Sequence, residues 1–95
     1  MELLDAKTLR QAMATLPGWR RRRRSLERTF ECKDFMDALR LVNRLGRLAE
    51  RLQHHPDIYI QWNKVTVYLT THDAGGLTAK DLDLARRIQR LTGAA

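Results

Sequence analysis

The sequence lacks the features that mark secreted and membrane proteins. Cys32 is its only cysteine, so no disulfide can form within the chain. A lone thiol fits a reducing compartment, and we expect a cytoplasmic protein. No apolar run approaches the roughly 18 residues that a membrane-spanning helix needs. Residues 1–18 lack a basic segment followed by an apolar one, so we also expect no signal peptide.

Repeats, low-complexity segments and linkers are also absent, which predicts one domain over residues 1–95. The chain carries a net charge of +7, and five arginines are consecutive at Arg20–Arg24. Such charge attracts anions, including nucleic acid. No helix-turn-helix or aromatic ribonucleoprotein motif accompanies the arginines. We therefore expect a basic, solvated edge, with an anion or nucleic-acid site as the alternative.

The hydrophobic pattern predicts the order helix, two strands, helix, two strands, helix. The strand pattern also predicts that Trp62 faces the core or a pocket. In the second helix, a stripe at helical spacing predicts core or subunit interface, and it comprises Phe35, Leu39, Val42, Leu45, Ala49 and Leu52. The predicted helices cover about residues 5–16, 34–53 and 78 onwards, and the predicted strands cover 19–32 with a turn near Ser25, 58–62 and 65–71.

The three histidines all fall at the ends of predicted elements. If Asn63 and Lys64 form a two-residue hairpin turn, the strand pairing sets His72 opposite His55. Glu50 lies four residues before His54 and shares its helical face if the helix extends that far. The sequence therefore predicts a histidine cluster near a carboxylate.

Three imidazoles beside a carboxylate suit two kinds of chemistry. Imidazole titrates near neutral pH and can transfer protons without large tuning. Zinc also takes three such ligands plus water in many catalytic sites. No His-Glu-x-x-His motif or cysteine pair strengthens the zinc interpretation. From the residues alone, acid/base catalysis, a metal site and a simple helix end before a proline all remain open.

Several spaced segments carry a resemblance to a known family. They are Glu50-Arg51-Leu52-Gln53-His54-His55-Pro56, Trp62-Asn63-Lys64-Val65, Thr71-His72, and Gly76-Leu77-Thr78 with Asp81. Together they resemble the pterin-4a-carbinolamine dehydratase family over residues 50–85. The element order matches that family along nearly the whole chain.

The resemblance implies an α+β fold with three helices packed on one face of a four-stranded antiparallel sheet, in the order α-β-β-α-β-β-α. It implies a homodimer or homotetramer that needs neither a metal nor an organic cofactor. The implied reaction is the dehydration of 4a-hydroxytetrahydrobiopterin, the pterin-4a-carbinolamine, to quinonoid dihydropterin. This hydro-lyase step recycles the pterin used by aromatic amino-acid hydroxylases, which implies a functional link to such an enzyme.

The resemblance also implies roles for individual residues. We expect His55 and His72 to share the acid and base roles, while His54 holds the departing hydroxyl or acts as an alternative acid. Asp81 is expected to cap a helix, either as its only role or together with orienting a histidine. A non-catalytic dimerisation or assembly module is the alternative function, and a metal hydrolase is a third. The implied catalytic residues are His54, His55, His72 and Asp81, and the implied substrate-binding residues are Glu50, His54, His55, Pro56, Thr71, His72, Asp73 and Ala74.

Overall fold

The computed structural model describes residues 2–93. Its elements follow the predicted order, and the α+β class is confirmed. A short 3₁₀ helix, His72–Ala74, lies between the last strand and the last helix. The helices are α1 (Ala6–Met13), α2 (Phe35–Leu52) and α3 (Ala79–Thr92), and the strands are β1 (Arg20–Arg22), β2 (Ser25–Glu31), β3 (Asp57–Gln61) and β4 (Lys64–Leu69).

The four strands form one antiparallel sheet in the order β1-β2-β4-β3. Alternate residues of a strand point to opposite faces, so each face has its own composition. On β4 the residues Val65, Val67 and Leu69 are completely buried, whereas Thr66 and Tyr68 between them are only half-buried. The buried face packs into one core with residues from all three helices, among them Leu9, Leu45 and Ile88. The helices therefore cover one face of the sheet.

Side-chain caps fix where the helices begin. Asp5 accepts a hydrogen bond from the Thr8 backbone N–H at 2.7 Å, which lowers the pKa of the Asp5 carboxyl. Asp34 is the N-cap of α2, as predicted. A reciprocal capping box between Thr78 and Asp81 begins α3, which confirms the sequence pattern there.

The predicted turn between β3 and β4 was wrong by one residue. Gln61 pairs with Lys64, so Trp62 and Asn63 form the turn. Asn63 is buried, and its side-chain amide donates to the Cys32 carbonyl at 2.9 Å. Trp62 has a φ of +51° and is 68% exposed, so the prediction that it faces the core or a pocket was also wrong. A tertiary contact to the end of β2, rather than local turn preference, therefore sets the register.

The predicted stripe of α2 divides between two environments. Leu45 and Ala49 lie in the core, whereas Phe35 is exposed and Leu39 is half-buried. The buried positions of α2 are Ala38, Leu41, Leu45, Leu48 and Ala49. The inner face of the helix is thus rotated relative to the predicted stripe.

The arginine run forms the solvated edge that the sequence predicted. β1 is an edge strand, and all five residues Arg20–Arg24 are exposed. The turn to β2 lies at Arg23 and Arg24 rather than at Ser25, because Ser25 already pairs with Arg22. Arg23 adopts the left-handed conformation at this turn, with a φ of +56°.

Candidate active site

The end of α2 separates the directions of the two adjacent histidines. Gln53 caps the helix in the left-handed conformation, and the His54 backbone N–H donates to the Ala49 carbonyl at 3.1 Å. Beyond this turn residues 54–56 belong to no helix or strand, and Pro56 disfavours a helical backbone at His55. The side chain of His54 is 12% exposed, whereas that of His55 is 58% exposed. One imidazole therefore points inwards and the next lies at the surface.

His72 comes from the opposite side of the same hairpin. Asp57 at the start of β3 pairs with Tyr68 near the end of β4. The segment before β3 and the segment after β4 consequently meet at one end of the sheet. Thr71 pairs with Gly76 across the 3₁₀ turn, which holds His72 at that end. The histidines are thus brought together even though the predicted register was wrong.

The three histidines line one cavity of about 190 Å³. This cavity contains imidazoles, a hydroxyl, a carboxylate and an ammonium group, which is the mixture that acid/base chemistry requires. Four larger cavities of about 310–470 Å³ lie elsewhere among residues 2–93, and their linings contain no histidine. The lining residues are Gln53, His54, His55, Thr70, Thr71, His72, Asp73 and Lys80.

A completely buried carboxylate holds His54 in place. Asp81 Oδ1 lies 2.7 Å from His54 Nε2. Its other oxygen accepts hydrogen bonds from the Thr71 hydroxyl at 2.8 Å and the Thr78 backbone N–H at 2.9 Å. Three partners offset the cost of burying this carboxylate. Asp81 therefore both caps α3 and contacts a histidine, the two roles that the sequence suggested.

A second carboxylate contacts His55 at the surface. Glu50 Oε2 lies 2.7 Å from His55 Nε2. The sequence pattern had paired Glu50 with His54, but α2 ends at Leu52 and the left-handed Gln53 carries the chain away. Both side chains of this pair are well exposed, so its contribution to stability is small. The contact nevertheless restricts the orientation of the His55 ring.

His72 differs from the other two histidines. Within residues 2–93, its ring has no hydrogen-bond or ion-pair partner, whereas those of His54 and His55 each have a carboxylate. It is exposed at the start of the 3₁₀ turn. Both of its ring nitrogens are therefore available to a ligand in the cavity.

The other proposed site residues take different positions. Asp73 lines the cavity, whereas Pro56 and Ala74 only adjoin lining residues along the chain. Three lining residues were missed from the sequence: Gln53, Thr70 and Lys80. Lys80 had an available signal, because it lies beside Asp81 in the capping box of α3.

The metal alternative lacks a suitable group of ligands in the described part of the chain. Among residues 2–93, no three or more His, Cys, Asp or Glu side chains are grouped so that they could hold a metal ion. The carboxylates contact individual histidines rather than converging with them. Each carboxylate thus orients one imidazole, His54 or His55.

Comparison with known proteins identifies the family of this chain. The family model for pterin 4 alpha carbinolamine dehydratase matches residues 2–91. The chain belongs to the pterin-4a-carbinolamine dehydratase family. The resemblance seen in the sequence is thereby confirmed.

Relatives of the family cover almost the whole chain. A protein of Thermosynechococcus vestitus, provisionally named a pterin-4-alpha-carbinolamine dehydratase, is 50% identical over 95% of both chains. A similarly named protein of Thermomicrobium roseum is 45% identical, over 96% of this chain and 98% of its own. A crystal structure from Brucella melitensis, described as a transcriptional coactivator/pterin dehydratase, has a TM-score of 0.89 and 30% identity over 95% of this chain and 98% of its own. The dehydratase fold is therefore shared along nearly the full length.

Between residues 2 and 93, no helix is both long enough and apolar enough to cross a membrane.

Proposed function

We propose that this protein dehydrates a 4a-hydroxytetrahydropterin, such as 4a-hydroxytetrahydrobiopterin, to the quinonoid dihydropterin. The observation that supports this most strongly is the cavity lined by His54, His55 and His72. Two of these rings are oriented by carboxylates and the third is free. Family membership supplies the reaction class, and the cavity supplies groups able to perform it.

The reaction needs one proton donor and one proton acceptor. The bond from C4a to the hydroxyl oxygen breaks, and an acid protonates the departing oxygen to give water. A base removes the proton from N5, and the electrons of that N–H bond form the new double bond between N5 and C4a. One proton is delivered and one is removed, so the net protonation of the site is unchanged. Two imidazoles in opposite protonation states can perform both transfers.

We assign the two proton transfers to His55 and His72. We assign to His54 the role of holding the substrate hydroxyl. His72 is exposed and has both ring nitrogens available, which suits a group that contacts substrate directly. Glu50 Oε2 contacts His55 Nε2, which orients the ring and leaves its Nδ1 available to substrate. His55 and His72 thus share the acid and base roles between them.

His54 is the most rigidly held of the three histidines. Its Nε2–H points at Asp81, so its Nδ1 is the remaining acceptor. A fixed acceptor can orient the hydroxyl hydrogen of the substrate and keep the oxygen directed at the acid. Asp81 is thus a positioning residue, since it is completely buried and does not line the cavity.

The pterin ring would be held by polar groups around the histidines. Asp73 can accept from the exocyclic amine, and Lys80 can donate to a ring carbonyl. The Thr71 hydroxyl is already engaged with Asp81 and Thr78, so Thr71 would bind substrate through its backbone. Such contacts need no cofactor.

The test follows dehydration of freshly prepared 4a-hydroxytetrahydropterin by ultraviolet absorbance, with a metal chelator present throughout. We expect acceleration by the wild type that survives the chelator. The dehydration rate should fall about 10²–10⁴-fold in each of the variants His55→Ala and His72→Ala, which is the usual contribution of a positioned acid or base. Gln89→Ala, which changes a half-buried residue outside the cavity lining, serves as the control. No acceleration by a folded wild type would refute the proposal.

Self-association, which is compatible with catalysis, is a second proposal, and one surface favours it. Phe35 and Met36 at the start of α2 are 46% and 57% exposed, which is unusual for large apolar side chains beside each other. We propose that a second copy of the chain covers them in a homodimer or homotetramer. Light scattering on the purified protein measures this directly, and a monomer at micromolar concentration would contradict it.

A further inference from the structure

A second cavity lies next to the histidine cavity, on the side of the sheet that the helices leave open. It has a volume of about 340 Å³. Thr70 lines both cavities, so the two are neighbours across one residue. The lining residues are Arg22, Arg23, Arg24, Ser25, Asp57, Tyr68 and Thr70.

The charge in this cavity is only partly neutralised. Glu27 pairs with Arg20 and, at 3.7 Å, with Arg22. Among residues 2–93, no carboxylate lies within ion-pair distance of Arg23 or Arg24. Asp57 is the lone acidic side chain in the lining, against three guanidinium groups. Two arginines therefore remain free for an external anion.

The backbone fixes these arginines relative to the histidines. The Thr70 hydroxyl donates to the Arg24 carbonyl at 2.6 Å, which ties the β1–β2 turn to the end of β4. Thr71 and His72 follow directly in sequence and line the histidine cavity. The arginine turn is thus anchored to the same strand end that presents His72.

We propose that the arginine cavity binds an anionic group, a phosphate or carboxylate, carried on the side chain of the pterin whose ring occupies the histidine cavity. This inference rests on the proposed function, since it specifies the class of pterin that the same site takes. Guanidinium groups recognise phosphate and carboxylate through paired hydrogen bonds. Ser25 and Tyr68 add hydroxyls, which can serve as further donors to such an anion.

A site for a small anion fits the observations better than a nucleic-acid surface. The two free arginines lie together at one turn, in a concave space next to a small-molecule cavity. A duplex would require basic groups spread along an extended face. Asp57, inside the lining, would also repel a continuous phosphate backbone, whereas a single anion can bind away from it.

The experiment compares 6-hydroxymethyl-7,8-dihydropterin with its phosphate monoester, both of which are stable enough for binding measurements. We expect the wild type to bind the ester at least about tenfold more tightly at low salt, as charge-assisted contacts to one or two arginines would give. Raising the ionic strength should reduce that preference. The turnover of 4a-hydroxytetrahydropterins with neutral and phosphorylated side chains is measured alongside.

Matched variants test whether the two free arginines cause the preference. Arg23→Gln with Arg24→Gln should abolish it without changing turnover of the neutral pterin. Both residue types are unbranched at Cβ, and the Thr70 contact uses only the Arg24 backbone, so the turn should be retained. Arg23→Lys with Arg24→Lys retains both positive charges and should keep most of the preference for the phosphate ester. Arg86→Gln with Arg90→Gln removes the same charge from α3, outside both cavity linings, and should have no effect.

The outcomes separate this inference from the proposed function. Equal affinity for the two pterins, or a preference that survives the glutamine variant, overturns the anion site. Normal turnover of the neutral pterin would then leave the proposed function standing. Binding of duplex DNA at physiological salt that depends on Arg23 and Arg24, with no preference for the ester, overturns the inference and assigns the arginines to nucleic acid. Failure to bind or turn over either pterin overturns both proposals.

Discussion

Substitution of Asp81 by asparagine should separate the structural role of this residue from its role in positioning His54. An asparagine carbonyl can keep the hydrogen bonds from the Thr71 hydroxyl and the Thr78 N–H. Its amide then faces His54 Nε2, where the carboxylate had been. An amide donates a hydrogen bond, so Nε2 must give up its proton and the proton must move to Nδ1. The variant therefore inverts the His54 tautomer while preserving the cap of α3.

The expected cost in stability follows from the contacts that change. The amide keeps two hydrogen bonds and replaces the third, but all three lose the assistance of the carboxylate charge, which should lower the free energy of unfolding by about 1–3 kcal/mol. Asp81→Ala removes all three contacts of a fully buried side chain and the cap, and should cost about 3–5 kcal/mol. Typical domains have only about 5–15 kcal/mol in total, so the alanine variant could unfold. Asparagine is therefore the informative substitution.

The assay combines urea unfolding, dehydration kinetics and ¹⁵N NMR of the imidazole nitrogens. We expect Asp81→Asn to remain folded, to show the Nδ1–H tautomer at His54, and to lose on the order of 10²-fold in dehydration rate. Asp83→Asn on the same helix is the control, because within residues 2–93 the side chain of Asp83 has one hydrogen-bond partner, the exposed Arg87. A folded Asp81→Asn variant with an unchanged tautomer and full activity would refute the positioning role.

Three further predictions concern stability, reactivity and assembly. Gly18→Ala should lower the free energy of unfolding, measured by urea titration, by about 1–3 kcal/mol. The reason is that Gly18 has a φ of +86° and an added Cβ would lie 2.7 Å from Arg28 Cζ. Unchanged stability would mean that the backbone and Arg28 can both adjust. Burial, reinforced by nearby carboxylates, raises the pKa of the Cys32 thiol. Iodoacetamide should therefore react with the native protein at pH 7 more slowly than with free cysteine, and the reaction rate should increase as the pH rises above 9. A faster reaction than that of the free amino acid would contradict this. Phe35→Ser with Met36→Ser should shift the protein towards monomer, as measured by light scattering. Helicity should be retained, because both side chains are well exposed in the isolated chain. An unchanged oligomer would place the subunit interface elsewhere.

Much of the fold could be predicted from local signals in the sequence. Asp34 before an apolar stripe correctly indicated the start of α2, and the Thr78–Asp81 spacing correctly indicated the cap of α3. Such signals are reliable because a cap depends on residues only two or three positions apart. The element order could be predicted for the same reason.

The hairpin register could not be predicted in this way. Trp62 and Asn63 form the turn because Asn63 is tied to Cys32, which lies 31 residues earlier in the chain. No local preference favours tryptophan in the left-handed conformation. Contact with another strand overrides the intrinsic preference of a turn, and only the folded chain reveals that contact.

The candidate site could likewise be predicted in part. The clustering of His54, His55 and His72 could be predicted, because any register close to the true one brings the two strand ends together. Glu50 contacts His55 rather than His54, the histidine that the sequence had suggested, because Gln53 is left-handed, and no sequence signal indicated that conformation.

The most direct test of paired acid and base catalysis is a double-mutant cycle between His55 and His72 in the dehydration assay. If the two residues transfer protons in the same step, removing either should eliminate most of the benefit of both. We therefore predict that the double alanine variant is no more than about threefold slower than the slower single variant. A double variant whose loss equals the product of the two single losses, or single variants at full wild-type rate, would contradict the central claim.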